Sequence, residues 1–573
     1  MIRIVVMYLP LICFIVPLVI CTIIMIPREI SIIVGFSLFI LGFGYTYMSM
    51  VREVGKNRDA VLKIGNKTPV VVPYMFFALS TIVTTLIFIP KSADMIVQFA
   101  SCFIMTGVVY GAGAVITIAV LKHDAMKSAS RKVKPSGKTK KIILINPVNS
   151  CRTGLTVNSS SKFPPLGLGI IAALTPDDYD MILIDENMEP FHYEDGDIVG
   201  ITAFTSAANR AYEIASIYRK NGIPVVMGGI HASMLPDEAL EYVDTVVIGE
   251  AESVWGELIS DFENGTLKKK YQGDATDLVS APEPRREIFS DRYLFATVQT
   301  SRGCPMDCSF CSVTPFNGNK FRQRPVSDVL EELKKIPQQY IFFVDDNILG
   351  YGKEAGRRAI ELFRGMAELK MNKYWFCQSS LNFGENDEVL YWAQKSGCKM
   401  VFIGLESADP EELKSMNKKL NLKIEYDSAF KKIHKYGIAV LGAFIFGSDC
   451  ETVESMIRKT DYSMRGGIDV VQTTVLTPLP GTRLYTQYKD EGRLKYADYP
   501  GDWDKYDMSE MVFIPRMIEE HDFKNCLDQC CKRICSMSAV SLRFLRTLCA
   551  TRSFTAAFFA FGSNMAYRSV NRC

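Results

Sequence analysis

The sequence predicts an α/β protein in four parts: four apolar spans, a doubly wound parallel-sheet unit, a second parallel-sheet unit forming a barrel or part-barrel, and a helical C-terminal region. Three observations predict it. The first 121 residues are dominated by four long apolar runs; from residue 141 short apolar runs alternate with helical patterns in two successive series; and beyond about residue 484 strand-like runs cease. The length of 573 residues, at roughly 150 per domain, excludes a single small module. With 48% hydrophobic and 22% charged residues the chain is neither disordered nor collagen-like. A net charge of +2 argues against a nucleic-acid footprint, and no nucleic-acid partner is expected. Sixteen cysteines in a chain of this length fall short of a disulfide scaffold, which favours reduced thiols and metal ligation.

The four runs cover residues 4–26, 30–50, 70–89 and 95–121, each near the length of about 20 residues that crosses a hydrocarbon core, and none contains a charged residue. A cleaved signal peptide is the competing reading of the first run, but the run is long and a second span follows after only Pro27, Arg28 and Glu29. Arg52, Lys56, Arg58, Lys63 and Lys67 follow the second span, against Arg28 and Lys91 in the other two turns, so both termini are expected in the cytoplasm. Residues 122–140 form a basic linker with Asp124 as its single acid, read as a stop-transfer tether. The expectation is a multi-pass protein of the cell membrane with cytoplasmic catalytic domains.

The first alternating series, assigned to residues 141–280, has strands at 142–146, 181–184, 198–202, 225–227 and 245–248, with helices at 207–220 and 252–263. Five such strands predict a flavodoxin-like (Rossmann-type) sheet, whose ligand sits beyond the carboxyl ends of the strands. Those ends carry Asn146, Thr205, Ser206, Gly228, Gly229, His231, Gly249 and Glu250. Paired glycines let backbone approach a large ligand, although ordinary strand-to-helix turns use them too.

The second series, assigned to residues 290–490, places strands at 296–299, 340–344, 374–378, 400–403, 439–445 and 470–476, which predicts a partial (β/α)6 barrel. Residues 491–573 turn helical. Cys526, Cys530, Cys531 and Cys535 lie there at helical spacing and read as small core hydrophobes more readily than as a second metal site. Residues 540–567 mix Leu, Phe and Ala with arginines, as either an interfacial helix or a buried amphipathic helix would.

The strongest chemical signal is Ser301-Arg302-Gly303-Cys304-Pro305-Met306-Asp307-Cys308-Ser309-Phe310-Cys311. Three thiolates so close on a loop can converge on one soft metal centre. A structural zinc wants a fourth ligand, and Cys377 belongs to a different strand. An iron–sulfur cluster held by three cysteines keeps one iron open to an exogenous ligand. This C-x3-C-x2-C loop after a first barrel strand resembles the radical S-adenosylmethionine (SAM) superfamily. The resemblance implies Cys304, Cys308 and Cys311 as ligands of a [4Fe-4S] cluster whose open iron chelates SAM, with Phe310 near the adenine. It also implies SAM contacts from Gln378, Ser380, Glu406, Ser407, Gly442 and Gly447.

Asn146-Pro147, Phe163-Pro164-Pro165-Leu166-Gly167-Leu168, Gly228-Gly229-Ile230-His231-Ala232, Asp345-Asp346-Asn347 and Thr477-Pro478-Leu479-Pro480-Gly481-Thr482 together resemble the cobalamin-binding subgroup, which includes hopanoid methylases and anaerobic magnesium-protoporphyrin ester cyclase. The loop after the first strand, residues 147–154, contains no His, so the resemblance implies cobalamin held without a protein imidazole ligand, with His231 a hydrogen-bonding residue, or a domain that has lost the cofactor. It further implies reductive cleavage of SAM to a 5'-deoxyadenosyl radical, hydrogen abstraction from an unactivated carbon, and either methyl transfer or ring closure. Asp345, Asp346 and Asn347 are the candidates for orienting substrate, with turn and capping as their structural alternative. An electron donor such as flavodoxin or ferredoxin is an expected partner, and the membrane region points to a lipid-like substrate. Methylation leads over cyclisation or carbon–carbon coupling. A non-catalytic redox or cobalamin sensor is the reading from another class; the short connections between spans disfavour it.

Overall fold

The structure is a computed structural model, describing residues 140–149 and 163–570. The four predicted spans and the basic linker lie outside the described residues, apart from Lys140. Among the described residues no helix is long and apolar enough to cross a membrane. The described residues fall in one compact unit, so the two sheets are parts of a single body.

The first sheet contains β1 (Lys140–Asn146), β2 (Tyr179–Asp185), β3 (Ile198–Thr202), β4 (Val225–Gly228), β5 (Thr245–Ile248) and β6 (Lys270–Gln272), all parallel in the order β2-β1-β3-β4-β5-β6. The first five have the flavodoxin-like order, and β6 is an addition that the sequence does not announce: Lys270-Tyr271-Gln272 is short, with only Tyr271 buried. The interior strands are apolar on both faces because helices cover both. Helix α1 (Leu166–Leu174) and helix α3 (Trp255–Glu263) pack on Ile142, Leu144, Val226 and Val247. Helix α2 (Ala208–Lys220) packs on Ile143, Ile145, Val199 and Ile201.

The second sheet holds β7 (Phe295–Val298), β10 (Tyr340–Phe343), β11 (Tyr374–Ser379), β12 (Cys398–Glu406), β13 (Ala439–Phe446) and β14 (Val470–Val475), parallel and in consecutive order, with no pairing between β7 and β14. This is the open six-stranded part-barrel. A two-stranded antiparallel hairpin, β8 (Ser301–Arg302) and β9 (Arg322–Gln323), brackets the cysteine loop. Crossover helices α4 (Val326–Lys335), α5 (Lys353–Glu368), α6 (Asp387–Ser396), α7 (Tyr426–Lys435) and α8 (Val453–Arg465) cover the outside. Their ends are set locally: the Asn386 side chain accepts from the amides of Glu388 and Val389, and Thr452 forms a capping box with Ser455.

The C-terminal region forms α9 (Glu520–Cys535), α10 (Met537–Thr551) and α11 (Phe554–Val570). Cys526, Cys530 and Cys535 are buried, and Cys526 and Cys530 point thiols at the carbonyls of Val453 and Met456 on α8, as packing residues do. The stretch 540–567 is two helices joined where Arg552 adopts a left-handed conformation (φ 52°). Ala556 and Ala560 pack against Met400, Ala439, Leu441 and Val470, and the Phe559 ring lies 5.5 Å from Tyr340. These partners sit at or near the starts of their strands, so α11 closes the amino end of the part-barrel and leaves the carboxyl end for chemistry.

Candidate active site at the junction of the two sheets

The cysteine loop runs from β8 over the carboxyl ends of the barrel strands. Cys304, Cys308 and Cys311 are free thiols, each partly buried. Burial raises all three, Cys311 to about 11, and its thiol feels the charge of Cys304 and Cys308, which places the three around one space. Among the described residues no three His, Cys, Asp or Glu side chains approach closely enough to share one ion. Three thiols about one space are the ligand number of a cluster that keeps one iron open to an exogenous ligand, whereas a structural zinc takes four.

Lys418 faces this space. Its ammonium lies 2.6 Å from Glu406 Oε1. Burial pulls its pKa down, but Glu406 and the nearby Cys308 more than offset this and hold it above the ordinary lysine value. Glu406 sits at the end of β12 with φ 61° and folds back over Gly404, where an added Cβ would stand 2.5 Å from its carboxylate oxygen. A side chain at 404 would therefore displace the carboxylate from the position it holds against Lys418. Lys418 is absent from the sequence reading because nothing in its spacing shows that the loop after β12 turns back to the cysteines.

The flanks of the cysteine loop are tied down by residues expected to touch substrate. Asp345, fully buried, accepts from the Thr300 amide at 3.0 Å and the Thr300 hydroxyl at 2.8 Å. Asp346 accepts from the Gly303 amide and from Asn317, both at 3.0 Å. Asn347 donates to Ser380 at 3.0 Å and accepts from Ser379 at 3.2 Å. These are positioning contacts: the three residues hold the loop and β11, and of the three only Asp346 lines the adjoining cavity. Burial raises the pKa of both aspartates.

The other expected SAM residues divide. Phe310 packs against the main core. Gln378 shares the concave face of β11 with Phe376. Ser407 uses its hydroxyl to accept from the Asp409 amide at 2.9 Å, and its own amide bonds Leu405, so it shapes the turn after β12. An added Cβ at Gly442 would meet Leu405 at 2.7 Å and Ile468 at 3.1 Å, on the helix-covered side of β13, so only its backbone is left to face the concave side. Gly447, at the end of β13, donates its amide to Glu451, itself paired with buried Lys459.

A cavity of about 760 Å³ opens between the carboxyl ends of the two sheets. Asn146, Gly228, Gly229, Gly249 and Glu250 line it from the first. Thr205, Ser206 and His231 do not line it: they lie behind the wall, where buried His231 Nε2 is 2.9 Å from the Tyr212 hydroxyl and 3.2 Å from Glu238, and Thr205 is 3.4 Å from Nδ1. Glu238 in turn accepts from Trp503 at 2.9 Å. Both ring nitrogens of His231 thus lie within hydrogen-bond reach of protein groups. Phe204, Glu252, Gln299 and Arg302 also line the cavity, a placement that their positions in the sequence do not announce.

Arg302 joins the halves. Buried two residues before Cys304, it donates to Glu250 at 2.7 Å, Glu252 at 2.6 Å and Gln299 at 2.8 Å, while Arg322 on the other hairpin strand also pairs with Glu250. Burial alone would raise the Glu250 pKa; the hydrogen bond from Arg322 and the charge of Arg302 outweigh it and bring the carboxyl below its ordinary value. Phe163 crosses the junction in the other direction, its ring 5.0 Å from Phe342 and 5.2 Å from Phe295 on the barrel's concave face.

Comparison with known proteins agrees with this geometry. Residues 298–459 match the model of the Radical SAM superfamily, and residues 152–259 match that of the B12 binding domain. The chain is 33% identical over 395 residues, 66% of this chain and 84% of the relative, to bacteriochlorophyllide d C-12(1)-methyltransferase of Chlorobaculum tepidum. It is 27% identical over 348 residues, 58% of this chain and 66% of the relative, to the hopanoid C-2 methylase of Rhodopseudomonas palustris. Among solved structures, the cobalamin-dependent SAM radical enzyme OxsB with aqua-cobalamin and SAM bound superposes with a TM-score of 0.55 at 16% identity, covering 71% of this chain and 68% of OxsB, a likeness of fold.

Proposed function

This chain belongs to the B12-binding radical SAM methyltransferases, the family of the bacteriochlorophyllide and hopanoid methylases, and from that premise we propose that it methylates an unactivated carbon of a lipid- or pigment-like substrate at the cytoplasmic face of a membrane. Its cofactors are a [4Fe-4S] cluster, SAM and cobalamin, which together supply radical generation and the methyl carrier. The chain's own residues bind and orient. Cys304, Cys308 and Cys311 hold the cluster. Glu406 and Lys418 present a carboxylate and an ammonium side by side, complementary to the amino and carboxylate groups of SAM. The Gly228-Gly229 and Gly249-Glu250 turns form the wall toward cobalamin. Arg302 and Asp346 keep the cysteine loop registered against that wall.

The observation that carries this reading is a cavity bounded by both sheets and reaching the flanks of the cysteine loop at Arg302, Ser312 and Asp346, since methyl carrier and radical source must reach the same carbon. Two features support a hydrophobic substrate at a membrane: the named substrates of the two relatives and the four uncharged runs in residues 4–121. The electron is expected from a small donor such as flavodoxin or ferredoxin. Anaerobic turnover with methyl-labelled SAM, followed by mass spectrometry of lipid and pigment extracts, tests the proposal. Label in a lipid or tetrapyrrole supports it; label confined to a water-soluble metabolite or peptide refutes it.

A further inference from the structure

Helices α10 and α11 carry a surface that the barrel does not use. Their inner faces are committed: Arg543 is buried against Asn564 at 3.1 Å and the Ile534 carbonyl, Thr547 donates to Asp469 at 2.6 Å, and Arg568 bonds the Cys535 carbonyl. The outer face is apolar. Leu542 is 45% exposed, Leu545 56% and Phe554 66%, and the Phe544 ring links the two helices at 6.4 Å from Phe554. A scattered leucine needs no explanation, but large apolar side chains grouped on one helical hairpin do.

The charged residues of the hairpin itself have one sign. From Met537 to Val570 there is no Asp or Glu, while Arg543, Arg546, Arg552 and Arg568 are present. Arg546 and Arg552 are exposed beside the apolar ridge. A second copy docking by two-fold symmetry would bring arginine toward arginine. A surface with negative headgroups over an apolar interior satisfies both the charge and the side chains.

We propose that the outer face of the α10–α11 hairpin seats on an anionic lipid bilayer, with Leu545 and Phe554 entering the acyl boundary and Arg546 and Arg552 at the phosphates. The inference deepens the membrane reading above and rests on it only for the presence of a membrane. Its site is distinct from residues 1–121, so the two can fail separately.

The test uses the full chain in nanodiscs of phosphatidylglycerol or of phosphatidylcholine, with Phe554→4-trifluoromethylphenylalanine as a fluorine probe that preserves the ring. Tyr351, 58% exposed beyond the carboxyl end of β10, takes the same probe as a control. In phosphatidylglycerol the ratio of oxygen-induced to nickel-chelate-induced broadening should be severalfold higher at 554 than at 351, and this excess should fall in phosphatidylcholine. Equal ratios at the two positions overturn the proposal. Protection of 554 from both relaxants, independent of lipid charge, also overturns it, because the occupant would then be a second copy or another segment of this chain. Resistance of the full chain to alkaline extraction from vesicles reports on anchoring by residues 1–121 alone, whatever the probe at 554 shows.

Discussion

Arg302→Met removes the cation at the centre of the junction while keeping most of its stem. Breaking one partner out of a buried ion pair costs about 3–5 kcal/mol, because the remaining charge stays desolvated. Glu250 retains Arg322, whereas Glu252 shows no second cation among the described residues. The loss should therefore fall near the lower end, about 3 kcal/mol, or roughly a hundredfold in the folded-to-unfolded ratio. The urea midpoint of the anaerobic full chain, followed by tryptophan fluorescence, measures it. A second substitution, Glu252→Gln, removes the stranded charge and should restore a large part of the loss. The acid limb adds a signature. The Glu250 pKa is depressed in the folded state, so its contribution is complete above the unfolded value, roughly 4.3, and disappears as pH falls through the folded value. In Arg302→Met that decline is shallower, since less favourable charge interaction remains to be lost. A cost below about 1 kcal/mol, the size of a surface pair, or no recovery with Glu252→Gln, would show that the quartet does not hold the junction.

Replacing Cys304, Cys308 or Cys311 by Ala should abolish both the cluster's visible absorption and the formation of 5'-deoxyadenosine from SAM; survival of either signal would contradict the ligand assignment. Lys418→Met should raise the KM for SAM by roughly 10- to 100-fold, the worth of one charge-assisted hydrogen bond, with cluster content unchanged by iron and sulfide analysis. His231→Asn should lower stability by about 1–3 kcal/mol through the lost Tyr212 and Glu238 contacts. It should leave the electron paramagnetic resonance spectrum of bound cob(II)alamin unaltered, whereas loss of an imidazole nitrogen splitting would make His231 a cobalt ligand.

Strands buried on both faces write themselves as apolar runs, which is why Ile142–Ile145 and the eight buried residues of Ala439–Phe446 are legible without coordinates. The cysteine motif is legible because its geometry is local. Contacts made across the chain are not. Nothing in Asp345-Asp346-Asn347 tells that two of the three side chains reach back to residues 300–303, 43–45 positions earlier in the chain, and nothing around Lys418 announces Glu406. Thr205, Ser206 and His231 stand at strand ends as cavity residues would, yet α2 and Trp503 draw them behind the wall. The break at Arg552 carries no Gly or Pro to mark it, so two helices read as one.

The junction also limits how this chain can be taken apart. Asp185 accepts from Tyr293, Glu238 from Trp503, Glu250 and Glu252 from Arg302, and Phe163 is embedded among barrel aromatics. Each contact crosses residue 280, within the interval 260–297 that separates the two family matches. A B12-binding segment expressed alone would carry stranded carboxylates and a bare ring, and would be expected to aggregate rather than fold as a cofactor carrier. Chimeras with relatives face the same constraint. A transplanted first half must bring acids that meet Arg302 and Arg322 of the recipient, so recombination points compatible with folding should lie outside residues 140–506, not at the apparent linker.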